Sequence, residues 1–200
     1  PSTINAYMKV EQSIQMLTAI LQKLKIFEDV DDVHSKLSFV IESEIEYAFI
    51  LCRAIYDEVN SVIAELASLL KDNEGKPVVQ TLRDSFARMA LDGENTRSVE
   101  ELSHKWGLPI PLAEIYSQSA EHFRNIRAIR VSIEHHGRRV PRVLMTPEGF
   151  AIPIKHIEAW NALPVWKMHV LLPNELGSVK ALVAFMINHV LLLLDTCAKS

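Results

Sequence analysis

A long helical pattern of apolar residues is the feature that most restricts how this chain can fold. It begins near Val33 and continues to Lys71, so it predicts one helix of roughly 40 residues or two nearly collinear pieces. The apolar positions recur mostly at three- and four-residue spacings, as one face of a helix requires. They are Val33, Leu37, Val40, Ala48, Leu51, Ile55, Val59, Val62, Leu66 and Leu69.

Further helices are predicted on both sides of this segment. Ser98 and Glu101 have the spacing of a capping box, and Gly107 ends the short helix that they begin. The predicted helices are Ile4–Ile26, Pro77–Leu91, Ser98–Trp106, one from Pro111 or Leu112 to Gly137, and Leu176–Cys197. The sequence therefore predicts a single all-α domain over residues 1–200, a bundle of about four to five main helices.

A change of pattern near residue 140 predicts a small β-hairpin, inserted at about residues 140–154 before the last helix. Val140–Met145 and Phe150–Ile154 are short and rich in apolar residues, and Pro147 and Gly149 suit a tight turn between them. The extended stretch Val165–Leu172 could add a third strand.

The run from Glu121 to Arg139 carries most of the groups that suit chemistry. Three arginines recur at every third position and therefore lie along one side of a helix; they are Arg124, Arg127 and Arg130. Another side is apolar and holds Ile126, Ile129 and Ile133. The segment is predicted to be an amphipathic helix with one apolar face in the core and guanidinium groups along its flank.

The charge distribution limits the kinds of partner that the chain can bind. The formal net charge is −4, which argues against a protein that coats nucleic acid over its whole surface. Six of the ten arginines nevertheless lie between Arg124 and Arg142. Any basic binding site is therefore expected to be local.

Cysteine usage and hydropathy indicate a cytoplasmic protein. Cys52 and Cys197 each lie in a predicted apolar helix, which indicates two buried thiols in a reducing compartment. The longest apolar run, Ala181–Leu194, is about 14 residues and shorter than the roughly 20 that a membrane helix needs. It is predicted to be a core helix, and no membrane is expected as a partner.

The motif in this run resembles that of the HEPN superfamily (higher eukaryotes and prokaryotes nucleotide-binding). Members carry an Arg followed, after four to six residues, by a His near the end of a late helix in an all-α bundle. Arg130 and His135 have four residues between them, and Arg130 and His136 have five. The resemblance implies an RNA- or nucleotide-binding protein and favours His135 over His136.

The resemblance also implies a mode of action. Active members cleave RNA without a metal or other cofactor, usually in a homodimer whose two motif helices face one cleft, and some belong to toxin or defence systems with an antitoxin or regulatory protein as partner. Histidine titrates near neutral pH and can move protons, while arginine offers a bidentate fork for phosphate. Arg130 and His135 would be the catalytic pair, with Arg127 and His136 as supporting residues.

A polar stripe on the long helix has two interpretations. Glu46, Phe49, Arg53, Asp57 and Asn60 follow one another at three- or four-residue spacing and are predicted to share a face. The face is either solvated, with an Arg53–Asp57 ion pair, or it lies opposite the motif helix, where a carboxylate would orient an arginine of the site.

Other functional classes remain open. In one, the arginines lie on the solvent-exposed face of the helix and pair with Glu121 or Glu134. A metal site could use Glu134 with His122, His135 and His136, but adjacent helical residues point about 100° apart and suit one ion poorly. A third class is a non-catalytic helical dimer that serves as a scaffold or partner-binding module. Val131 favours this class, because active members carry Asn, Asp or His after the arginine.

Overall fold

Helices make up most of the described chain. The computed structural model describes residues 2–30, 34–71, 85–136, 140–154, 163–168 and 175–199, together with residues 76, 82 and 160. The helices within these ranges are α1 (Ser2–Glu28), α2 (His34–Leu69), α3 (Phe86–Ala90), α4 (Val99–Trp106), α5 (Ile110–His136), α6 (Val165–Met168) and α7 (Val179–Lys199). The predicted mainly helical fold class is confirmed.

Helix α2 confirms the long predicted helix and the middle of its predicted apolar stripe. Ala48, Leu51, Ile55 and Val59 are buried, whereas Val40, Leu66 and Leu69 are exposed. The buried face is wider than the stripe, because it also holds Ile41, Ile45, Phe49, Cys52, Tyr56 and Ile63. These positions satisfy helical spacing too, so the extent of the buried face depends on the neighbouring elements and not on periodicity alone.

The hairpin near residue 140 is confirmed, with shorter strands than predicted. Strand β3 (Leu144–Thr146) pairs antiparallel with β4 (Gly149–Pro153), and Met145 lies opposite Phe150. The third strand was wrongly placed. It is β5 (Leu176–Ser178), which pairs with β4, while the described part of Val165–Leu172 forms α6. Gly177 allows this pairing, because a Cβ there would lie 2.5 Å from Cζ3 of Trp166.

A second hairpin, shorter than the first, was not predicted. Strands β1 (Leu91–Asp92) and β2 (Asn95–Thr96) pair antiparallel. Gly93 in the turn has a φ of +64°, which glycine adopts without strain. The Asp-Gly pair is a recognised hairpin signal, although the surrounding sequence has the composition of a polar loop. The predicted helix Pro77–Leu91 begins outside the described residues; its end is helical over α3, and Leu91 lies in β1.

The local end signals of α4 were predicted correctly. Glu101 N donates to Ser98 Oγ at 3.2 Å, and Ser98 N donates to Glu101 Oε2 at 2.8 Å, which completes the capping box. Gly107 has a left-handed φ of +67°, and its N–H donates to the carbonyl of Ser103 at 2.9 Å. Gly137, the predicted stop of α5, lies outside the described residues.

Contacts within the chain define two compact units. The first comprises residues 1–13, 53–124 and 189–200, and the second comprises residues 14–52 and 125–188.

The first unit has an aromatic core. The ring of Phe86 lies 4.8 Å from Tyr56, 5.0 Å from Phe123 and 5.2 Å from Tyr116 between centroids. Tyr116 is buried, and its hydroxyl donates to Asn60 Oδ1 at 2.9 Å. Burial raises the pKa of this tyrosine above its ordinary value.

The second unit contains two buried tryptophans, of which Trp160 packs against α2. Trp160 meets Phe49 edge-on at 5.2 Å, and Trp166 Nε1 donates to the carbonyl of Trp160 at 2.7 Å. The chain leading into β3 is also tied to α2. Ser38 Oγ donates to the carbonyl of Val143 at 2.7 Å, and Val143 N donates to Glu42 Oε1 at 3.2 Å. Both tryptophans are therefore core residues.

Helix α7 is the apolar helix predicted near the C-terminus. It is the one helix in the described ranges with the length and hydropathy to span a membrane, and 33% of its most apolar window is buried. Its buried residues include Leu182, Val183, Met186, Val190 and Leu193.

Candidate functional site

Helix α5 carries the predicted motif on an uninterrupted backbone from Ile110 to His136. Phe123 is fully buried in the first unit, and Ile126 and Ile129 are fully buried in the second. The isoleucine stripe is therefore confirmed as a core face at these two positions, while Ile133 is half-buried. Arg130 follows directly after a buried residue near the C-terminal end of the helix.

The three arginines of the motif helix are all half-buried. Arg124 belongs to the first unit and lies 4.0 Å from Glu121, three residues earlier. Arg127 and Arg130 belong to the second unit and flank the buried Ile129. Arginine stems can cover apolar surface in such positions while the guanidinium reaches solvent. The guanidinium group itself offers a fork of donors that suits a phosphate group.

His135 and His136 occupy the last turn of α5. Their side chains lie outside the described part of the structure, as does that of Glu134. The convergence of Arg130 with His135, and the preference for His135 over His136, therefore stay predictions.

The predicted supporting residues on α2 are divided between the two units. Glu46 is half-buried in the second unit, where Arg130 also lies. Arg53 and Asp57 belong to the first unit and form an ion pair of 3.5 Å between Nε and Oδ2. Asp57 Oδ1 also accepts from the backbone N–H of Phe86 at 3.1 Å. Asp57 thus supports the first residue of α3.

The polar stripe itself is narrower than predicted. Phe49 and Asn60 do not share a solvated face with the others, because both are buried in the core. Phe49 packs on Trp160, and Asn60 accepts from Tyr116. At 100° per residue, Phe49 and Asn60 both lie about 40–60° to one side of Glu46, so it is this edge of the stripe that reaches the core.

The first unit contains two stacked histidines that the sequence did not predict to be in contact. His122 on α5 stacks on His189 on α7 with ring centroids 3.9 Å apart and planes 10° apart. Burial, and then the neighbouring His189, lower the pKa of His122 to about 3, and burial also lowers the pKa of His189. Parallel rings direct their nitrogen lone pairs along parallel planes, so this pair does not converge on one metal ion.

Neither a metal-binding cluster nor a reactive thiol is seen among the described residues. No three His, Cys, Asp or Glu side chains among these residues are placed to hold a metal ion. Burial raises the pKa of the Cys52 thiol, and it raises that of Cys197 to about 11. Raised thiol pKa values leave little reactive thiolate at neutral pH. Both cysteines are free; Cys52 is fully buried as predicted, whereas Cys197 is only half-buried.

Comparisons with family models, with curated proteins and with solved structures find no match to this chain. The chemistry of its own residues is therefore the basis for a function.

Proposed function

We propose that this chain is a HEPN-like RNA-binding protein that cleaves RNA without a metal, through Arg130 and His135 at the end of α5. The observation that carries the proposal is the position of Arg130. It is half-buried near the end of a long helix, beside the buried Ile129, and His135 follows in the last turn of the same helix.

The reaction needs few groups, because RNA carries its own nucleophile. His135 accepts the proton of a 2′-hydroxyl, whose oxygen then bonds to the adjacent phosphorus. Arg130 donates a fork of hydrogen bonds to the phosphate oxygens, where negative charge develops. The bond to the 5′-oxygen breaks, that oxygen takes up a proton, and the product carries a 2′,3′-cyclic phosphate.

The proposed assembly is a homodimer in which two copies of α5 face one cleft, in the cytoplasm, with an antitoxin or regulatory protein as a further partner. Exposed apolar residues on α2 in the second unit support an assembly of some kind, since Phe39 is 66% exposed and Ile50 is 47% exposed. The competing proposal keeps this dimer without catalysis, and Val131 is the residue that supports it.

The test uses purified protein, a mixed RNA pool and EDTA, with detection of 2′,3′-cyclic phosphate ends. We expect the parent to cleave and the Arg130→Ala/His135→Ala variant to lose activity by at least about a hundredfold. Arg124→Ala is the matched control, since it removes a charge from the same helix two arginines earlier. An equal loss of activity in Arg124→Ala would show that the change in net charge, and not the loss of the Arg130/His135 pair, causes the effect.

Two outcomes would overturn the nuclease proposal. Cleavage by both the parent and the double variant would assign the activity to other residues or to a contaminant. RNA binding without cleavage by the parent would instead favour the non-catalytic dimer.

A further inference from the structure

The first unit contains an open depression on the exposed side of α4, outside the motif helix. It has a volume of about 460 Å³ and is lined by Arg97, Glu101, His104 and Lys105. Arg97 is the one residue between the end of β2 and Ser98, the N-cap of α4. The other three residues lie on one face of α4, at spacings of three and four.

Arg97 is an unusually buried arginine, with 8% of its surface exposed. One terminal nitrogen donates to Asp92 Oδ1 at 3.0 Å. Its Nε–H is also buried and has no hydrogen-bond acceptor among the described residues. This N–H loses its hydration on folding without gaining a hydrogen bond, so the guanidinium of Arg97 is incompletely paired by the described residues.

Glu101 is held in place by the helix cap. Its Oε2 accepts from Ser98 N at 2.8 Å, and its own N–H donates to Ser98 Oγ at 3.2 Å. The carboxylate is therefore anchored to the backbone beside Arg97 and retains capacity to accept further hydrogen bonds. The depression offers a fork of donors and a fixed acceptor on neighbouring walls.

The balance of charges selects the class of ligand. With histidine counted as neutral, the positive charges of Arg97 and Lys105 are matched by the negative charges of Asp92 and Glu101. A bare phosphate gains little from a site with no net charge. A neutral ring that presents acceptors on one edge and donors on another fits the two walls better.

We propose that this depression binds the guanine base of a nucleotide or of RNA. The O6 and N7 atoms of guanine accept from Arg97, in the arrangement that arginine uses with this base elsewhere. Glu101 accepts from the N1–H and the exocyclic amine. Adenine presents an amine where guanine has O6, so it opposes the donors of Arg97. This proposal is independent of the proposed cleavage at Arg130.

Titration of the intact protein with GMP, AMP, guanosine and inorganic phosphate, followed by calorimetry, tests the proposal. We expect GMP and guanosine to bind and AMP to bind at least about tenfold more weakly. Equal affinity for GMP and AMP, binding of phosphate alone, or no binding of GMP at millimolar concentration would each overturn it. If a guanine-containing trinucleotide competes with GMP, the bound guanine belongs to RNA. If it does not compete, the ligand is a free nucleotide.

Two substitutions keep the test independent of folding. Glu101→Gln preserves the capping box, because glutamine serves at this position too, but it replaces one acceptor oxygen with a donor. We expect it to weaken GMP binding by about tenfold or more, while Glu100→Gln, next along the helix and outside the depression, leaves binding unchanged. Equal weakening in both variants would refute base recognition by Glu101.

Discussion

The imidazole of His122 lies flat on that of His189, with their centroids 3.9 Å apart, and so joins α5 to α7 within the first unit. His122 is only 5% exposed, and the ring of Tyr56 lies 6.2 Å from it between centroids. Two protonated rings at this distance would repel each other, and one protonated ring would carry a charge into an apolar core. The stack therefore requires neutral histidines.

This stack predicts that acid destabilises the fold. The pKa of His122 is about 3 in the folded chain, against an ordinary value of 6.5, so the unfolded chain binds the proton first. The free energy of unfolding should therefore fall as pH falls from about 6.5 towards 3, by at most about 1.4 kcal/mol per pH unit for this histidine. The lowered pKa of His189 acts in the same direction. Urea unfolding between pH 7.5 and 5 measures the slope.

His122→Phe should flatten this slope, because the ring packing is largely kept and the titrating group is lost. His104→Gln, at an exposed position on α4, is the control and should retain the parent slope. A His122→Phe protein as acid-sensitive as the parent would assign the effect to other groups.

The two histidines at the end of α5 should differ in their effect on RNA cleavage. His135→Gln should lower the single-turnover rate by about a hundredfold or more, the usual contribution of a general base. His136→Gln should leave it within a few-fold of the parent. A larger loss of rate in His136→Gln than in His135→Gln would assign the proton transfer to His136 and lengthen the motif spacing by one residue.

Asp57 should matter for stability and not for RNA cleavage. Asp57→Ala removes the acceptor for the N–H of Phe86 and the ion pair with Arg53, so we expect a loss of about 1 kcal/mol in the free energy of unfolding. Asp57→Asn keeps an acceptor oxygen and should lose less. A cleavage defect in folded Asp57→Ala protein, measured well below its melting temperature, would contradict this assignment.

Gly177 should tolerate no side chain. A Cβ would lie 2.5 Å from Cζ3 of Trp166 and 2.8 Å from Cγ2 of Ile154, so Gly177→Ala should cost about 1–3 kcal/mol of stability. The cost should shrink when Trp166→Leu is made first, since the ring is then gone. Equal costs in the two backgrounds, measured by a double-mutant cycle, would rule out this contact as the cause.

The features that the sequence predicted well depend on neighbouring residues. The Ser98 capping box, the stop at Gly107 and the turn before Gly149 are all local. The extent of the buried face of α2 and the position of the third strand, Leu176–Ser178, depend on distant partners, which periodicity does not reveal. Prediction of element type therefore succeeded more often than prediction of what each element packs against.

The same distinction holds for the candidate sites. Arg130 and His135 were proposed from the sequence because their spacing lies within one helix. His122 and His189 looked unrelated, because their stacking depends on the pairing of α5 with α7. Arg97 resembled an ordinary loop residue, since the hairpin that precedes it was not predicted. A clearer weighting of Asp92-Gly93 as a hairpin signal would have drawn attention to it.

Glu28, the last residue of α1, meets two segments that lie far from it in the chain. Its Oε2 is 2.6 Å from Nζ of Lys180 at the start of α7, and its side chain lies against Gly149 at the turn of the hairpin. Closing such long loops costs conformational entropy before the contacts form that offset it. We therefore expect the helices of the second unit to form early in folding, and the sheet to be completed only when the end of α1 is in place.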